Sequence, residues 1–173
     1  MDADLSLLLE RVSQHVADPR VGLPEELFYF VSTLTPMVNV DLLIKNKKGQ
    51  TLLTWRADRF HGPAWHIPGG IIRFKEGIGE RIEKVAQSEL GCGVRFSEAP
   101  IDVRGLVNTE RDVRGHFISL LYLCELQGEP NPSMKASIAD PKAGEWAWHD
   151  TAPNNLIKVH EVFRQFIDDS PAL

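Results

Sequence analysis

Apolar residues recur at helical spacing in four stretches of the chain and at strand spacing in several others. Between residues 4 and 16, Leu5, Leu8, Leu9, Val12 and Val16 fall on one helical face, with Asp2 and Asp4 ahead of them as caps. Pro24-Glu25-Glu26 opens a second helix with Leu27 to Leu34 as its body, since proline fits the first turn and acids suit its positive end. Met37 to Ile44 alternates Val38, Val40 and Leu42 to one side and predicts a strand. Asn46 to Gly49 turns it into a partner over Gln50 to Trp55. A helix follows over Ile78 to Leu90, then a strand over Ile101 to Val107 and a buried strand over the apolar run Phe117 to Leu126. Glu129 to Lys142, rich in Pro, Ser and Ala, reads as a connector. Glu145 to His149 alternates Trp146 and Trp148 as a strand, and Asn155 to Ile167 closes the chain as a helix with Leu156, Val159, Val162, Phe163 and Phe166 at helical spacing.

The stretch Trp65 to Val94 breaks the simple pattern. It passes a Pro68-Gly69-Gly70 break and a Lys75-Glu76-Gly77 turn before the helix that Gly91 ends. Ile78, Ile82, Val85, Ala86 and Leu90 share one arc of that helix, and Glu89 falls inside the same arc. A carboxylate there either escapes to solvent at the helix end or needs a hydrogen-bonding or cationic partner. The glycine loop upstream, free of Cβ atoms, can bring backbone groups close to a ligand. Together they suit a magnesium ion, which takes a carboxylate, a backbone carbonyl and substrate phosphate oxygens.

Composition narrows the class. The chain has 173 residues, 43% hydrophobic and 25% charged, which is enough core for one domain. Its net charge of −5 argues against a long nucleic-acid surface, so a small anionic ligand would need a local cationic pocket. Cys92 and Cys124 are the only cysteines, too few for a disulfide scaffold or zinc cluster, which fits a reducing cytoplasm. No apolar run is long enough to span a membrane, and the acidic start is unlike a signal peptide.

Between Gly70 and Cys92 the chain resembles the Nudix hydrolase motif. Gly70, Glu76, Glu89 and Gly91 match at that family's spacing, and Ala86 and Cys92 fit its aliphatic places. Lys84 stands where the family has arginine, and Val85 and Ser88 stand where it has two metal-binding glutamates. The branch similar to GDP-mannose mannosyl hydrolase also lacks those two glutamates. The resemblance runs from about Leu27 to about Phe166 and includes Thr35-Pro36, Asp41, the Trp55 to Arg59 turn, Trp65, His116 and Glu145 to Trp148. It implies an α/β fold with a mixed sheet sandwiched between helices, over residues 35–173. Residues 1–34 form an N-terminal helical extension that packs on the domain or on a partner in a homodimer.

The resemblance also implies a chemistry. One magnesium or manganese ion, held by Glu89 and the Gly69 carbonyl, would neutralise a departing nucleoside diphosphate. Arg56, held by Asp41, and Arg59 would bind the diphosphate, with Arg73 and Lys84 as further cations. His116 would act as the base that activates water at the anomeric carbon, as in inverting glycoside hydrolysis. His61 reads as a solvated loop residue, His66 as core or pocket lining, and Trp146 and Trp148 as core packing or a stacking surface for guanine. Three functions are compatible: a nucleotide-sugar hydrolase releasing free sugar, with GDP-mannose in front; a pyrophosphatase cutting between phosphates; and a non-catalytic nucleotide-binding module. No nucleic-acid polymer and no membrane is expected as a partner.

Overall fold

The computed structural model describes residues 3–137 and 139–169; Asp2, expected as a helix cap, lies outside them. The elements run α1 (Ala3–Ser13), α2 (Glu25–Ser32), β1 (Met37–Lys45), β2 (Thr51–Arg56), β3 (Ala64–His66), β4 (Gly69–Ile71), α3 (Ile78–Leu90), β5 (Val94–Phe96), β6 (Asp102–Val107), β7 (His116–Leu126), β8 (Trp146–His149) and α4 (Arg164–Asp168).

The strands form one mixed sheet. β1 runs parallel to β7, from Met37 opposite Phe117 to Ile44 opposite Cys124, and the other pairings are antiparallel. The far edge of β1 is shared: β2 pairs with Ile44 and Lys45, and β4 pairs with Asn39, Val40 and Asp41. This division splays the sheet open beside the first half of β1. β7 is split likewise between β6 at its start and β5 at its end.

Both faces of the sheet are covered, so β1 is buried almost throughout instead of alternating. On one side Val40, Leu42, Ile44, Tyr122 and Cys124 pack against Ile82, Val85, Ala86 and Leu90 of α3. On the other, Leu43, Leu53, Leu121 and Leu123 pack against Phe163 and Ile167. This is the α/β/α sandwich expected from the chain. Trp146 is buried in the first cluster with its indole N–H donated to the Asn131 carbonyl at 2.9 Å, and Trp148 packs against the same cluster. The core-packing alternative therefore describes both tryptophans.

The boundaries of α3 agree with its periodicity, and Gly91 ends it in the left-handed conformation, φ 69°. The closing helix departs from expectation. Trp65 donates its amide to the Asn155 carbonyl at 3.0 Å and accepts one from Ile157 at 2.8 Å, which holds this stretch extended beside β3. A 3₁₀ turn over Lys158–Phe163 follows, and only Arg164–Asp168 is α-helical. Val162, expected on the apolar face, is exposed as a result. At the other end, α1 leaves Leu5, Leu7, Leu8, Leu9 and Val12 exposed. No helix among the described residues is long and apolar enough to cross a membrane.

Candidate functional site

The splay between β2 and β4 opens into a cavity of about 330 Å³ walled by β1, the glycine step, α3 and the loop after β6. The two glycines allow this close fit. A Cβ on Gly69 would fall against Asp41 Oδ1, and one on Gly70 would lie 2.7 Å from Val85 Cγ2.

Glu89 reaches the cavity from the last turn of α3. Its carboxylate accepts the Thr54 hydroxyl at 3.0 Å and the Gly69 N–H at 3.3 Å, so it turns inward instead of escaping to solvent. Burial raises its pKa to about 7, outweighing those hydrogen bonds and the attraction of Arg56, and the nearby Asp41 adds to the rise. Val85 and Ser88 also line the cavity, so the positions of the two absent carboxylates face the same space. Among the described residues no group of three or more His, Cys, Asp or Glu is placed to hold a metal. The donor set still fits a divalent ion that keeps water and phosphate oxygens around it, because Glu89 offers a carboxylate whose charge nothing neighbouring fully balances.

Asp41 sits opposite, 1% exposed, on the β1 face that carries Leu43. It accepts the Ser119 hydroxyl, and its Oδ1 lies 3.6 Å from His160 Nε2. Burial raises its pKa to about 6 against the pull of Ser119, Asn39 and Arg56. The pairing expected between Asp41 and Arg56 is not formed. Arg56 donates to Asp58, two residues along the same turn, and Asp58 also accepts the amides of Phe60 at 2.7 Å and His61 at 2.9 Å. Burial pushes the Asp58 carboxyl up, yet these bonds hold it at about 2. The turn is short enough to satisfy the guanidinium locally, which leaves Asp41 to its neighbours in the sheet.

Three imidazoles line the cavity. His160 accepts the Ile67 amide at Nδ1, 3.1 Å, which leaves its proton on Nε2 facing Asp41. His66 has Nδ1 2.8 Å from the Ile67 carbonyl and Nε2 2.9 Å from Thr54 Oγ1. His61, expected in solvent, instead lies half-buried with Nε2 3.2 Å from Arg111 Nη1. Burial lowers the pKa to about 3 for His66 and His160 and to about 4 for His61, with cationic neighbours adding to it, so all three are neutral.

Arg56, Arg73, Arg81, Arg111 and Arg114 all contribute to the wall, a concentration of cations in a chain of net charge −5. Three have partners: Arg56 has Asp58, Arg81 has Glu76 at 2.7 Å, and Arg111 has the Phe60 carbonyl. The Nε groups of Arg73 and Arg114 are buried without a hydrogen-bond partner among the described residues. Such a group is costly and fits an anionic oxygen entering the cavity.

The structure thus brings Asp41, Arg56, Gly69, Arg73 and Glu89 to one cavity, and it leaves the other expected site residues outside. Arg59 donates to Glu25 at 2.7 Å and to Tyr29 on α2. Lys84 is exposed and pairs with Glu76 at 3.0 Å and Glu80 at 2.7 Å. His116 is not among the residues that line the cavity, although its neighbours Gly115 and Phe117 are; alternation along β7 puts it on the face of Tyr122, which packs against α3. Arg81, Arg111, Arg114, Thr54 and His160 were not legible as site residues. The mixed charge of the loop Thr109 to Gly115 is the one feature of the sequence that bears on them, through Arg111 and Arg114.

Comparison with known proteins follows the same outline. The NUDIX domain profile matches residues 35–169, most of the chain. Among solved structures, the MutT NUDIX hydrolase from Burkholderia pseudomallei superposes with a TM-score of 0.55 at 20% identity, over 80% of this chain and 99% of that one. A possible asymmetric diadenosine tetraphosphate hydrolase from Jonesia denitrificans gives 0.59 at 18% identity, over 81% and 99%. A curated relative, the low-salt glycan biosynthesis protein Agl8 of Haloferax volcanii, is 30% identical over 76 residues, 44% of this chain. That match spans about half the length, 48%, of the relative.

Proposed function

The chain belongs to the Nudix hydrolase family, and from that membership we propose that it hydrolyses a nucleotide sugar, GDP-mannose or a close analogue, at the anomeric carbon. The observation that carries the reading is the cavity wall itself: five guanidiniums around the two inward carboxylates of Glu89 and Asp41, with Val85 and Ser88 where the family's further metal ligands stand. Cations in that number suit a diphosphate. The missing carboxylates argue against holding a second ion to direct water onto phosphorus. The likeness to a glycan-biosynthesis protein supports the same class, because glycan assembly draws on activated sugars.

In this reading Arg56, Arg73 and Arg114 bind the diphosphate, Arg56 being fixed by Asp58 before substrate arrives. Glu89 and the Gly69 carbonyl would hold a magnesium or manganese ion, which when bound supplies neutralising charge for the leaving group. Asp41 replaces His116 as base. A water oxygen attacks the anomeric carbon while its proton passes to Asp41, and the bond between that carbon and the diphosphate oxygen breaks. The Ser119 hydroxyl and the His160 N–H orient the Asp41 carboxylate. The exposed leucines of α1 support a homodimer through that helix, and the free thiols of Cys92 and Cys124 suit the reducing cytoplasm.

The test is incubation with GDP-mannose and magnesium, with products identified by phosphorus and proton NMR. GDP and free sugar are expected, with turnover abolished by Glu89→Gln. GMP and sugar phosphate would assign the chain to the pyrophosphatases, and nucleotide binding without turnover would assign it to the non-catalytic modules.

A further inference from the structure

Residues Gly22 to Ser32 lie ahead of the stretch that the family profile matches, yet they touch two of the cavity's arginines. Arg114 has φ 54°, a left-handed conformation uncommon outside glycine, and its amide donates to Ser32 Oγ at 2.9 Å. Its guanidinium stands 5.6 Å from the Phe28 ring and 4.8 Å from the Phe60 ring, so it is held between two aromatic faces. Phe60 is itself backed by α2, because Arg59 lies 5.0 Å from its ring and is anchored to Glu25 and Tyr29. The linker before α2 reaches Arg73: a Cβ on Gly22 would meet Arg73 Nη1 at 2.5 Å.

Arg73 and Arg114 are also the cavity arginines whose buried Nε groups lack a partner among the described residues. Aromatic rings and a glycine hold a guanidinium in place without neutralising it or occupying its N–H groups. A carboxylate in the same place would fix the side chain equally well and cancel the charge that an anion needs.

We infer that the segment Gly22 to Ser32 is a working part of the anion site, with Ser32 and Phe28 as positioning residues that aim Arg114 at a phosphate group and Gly22 giving room to Arg73. The inference rests on the proposed reading of the cavity as a diphosphate site. It gives the N-terminal extension a role in binding that is separate from any packing between subunits.

The test is binding of inorganic pyrophosphate to the full chain by calorimetry, in the wild type and in Ser32→Ala, Phe28→Ala and Arg114→Ala. Ser32→Ala and Phe28→Ala should each weaken binding about tenfold. Ser32→Thr, which restores the hydroxyl, should recover it. In the Arg114→Ala background neither change should cost anything further, which a general loosening of the fold would not reproduce. If Phe28→Ala melts early, Phe28→Leu keeps the apolar bulk and removes the ring face. Wild-type affinity in Ser32→Ala and Phe28→Leu, or equal losses with and without Arg114, would overturn the inference. Absence of pyrophosphate binding by the wild type would instead bring down the diphosphate reading on which it stands.

Discussion

Thr54 Oγ1 lies 3.0 Å from Glu89 Oε2, and this contact between β2 and the last turn of α3 explains how a carboxylate survives in the apolar arc of its helix. The hydroxyl and the Gly69 amide satisfy one oxygen each, and neither carries a full positive charge. Burial raises its pKa to about 7, because these two hydrogen bonds and the attraction of Arg56 offset only part of the cost of desolvation.

This has a consequence for stability. The folded chain holds a proton on Glu89 more tightly than the unfolded chain does, whose carboxyl titrates near 4.5. The associated stability is fully present below pH 4.5 and is lost as pH rises through 7, on the order of 3 kcal/mol across that window. Glu89→Gln should therefore melt above the wild type at pH 8 and lose that advantage at pH 4. Parallel melting curves for the two proteins over this range would show that Glu89 is not desolvated as described.

Magnesium should act on the same group. At pH 8 it should raise the melting temperature of the wild type, in line with a gain of about 2.7 kcal/mol at a hundredfold excess over Kd. Glu89→Gln should respond weakly or not at all, and chelator should return the wild type to its metal-free melting point. An equal shift in both proteins would place the ion elsewhere.

Asp41 and His116 are separated by their substitutions. Asp41→Asn keeps the shape of the cavity wall and removes the base, so turnover should fall about 10²- to 10⁴-fold. His116→Ala, outside the cavity lining, should stay within about threefold of the wild type, since changes away from such a site are worth about 0.5 kcal/mol. Steady-state rates with GDP-mannose decide it, and a collapse in His116→Ala with full activity in Asp41→Asn would reverse the assignment.

Arg56 and Asp58 should behave as a unit. Arg56→Ala should weaken GDP binding by roughly 10- to 100-fold, the range for a lost charge-assisted hydrogen bond. Asp58→Ala leaves the guanidinium present but unfixed and should cost less. The double variant should bind no more weakly than Arg56→Ala alone, and additive losses in calorimetry would show that Asp58 acts separately.

The sequence by itself determined the elements whose signal is local. The period of α3, its stop at Gly91 and the apolar run of β7 each follow from short-range pattern, and the family motif supplied Glu89 and the glycine step. A charge out of place is legible in one helix, so Glu89 stood out. Only the tertiary structure decided which side chains converge. Arg81, Arg111, Arg114 and His160 come from three separate segments, and beyond the mixed charge of the Thr109 to Gly115 loop nothing in their own neighbourhoods marks them. His116 stays out of the cavity lining although Gly115 and Phe117 on either side of it enter, a one-residue distinction that no local pattern decides. Asp58 took Arg56 from Asp41 because a turn can satisfy its own arginine. The closing helix was shortened because Asn155 to Ile157 found backbone partners in Trp65, and no periodicity of its own could announce that pairing.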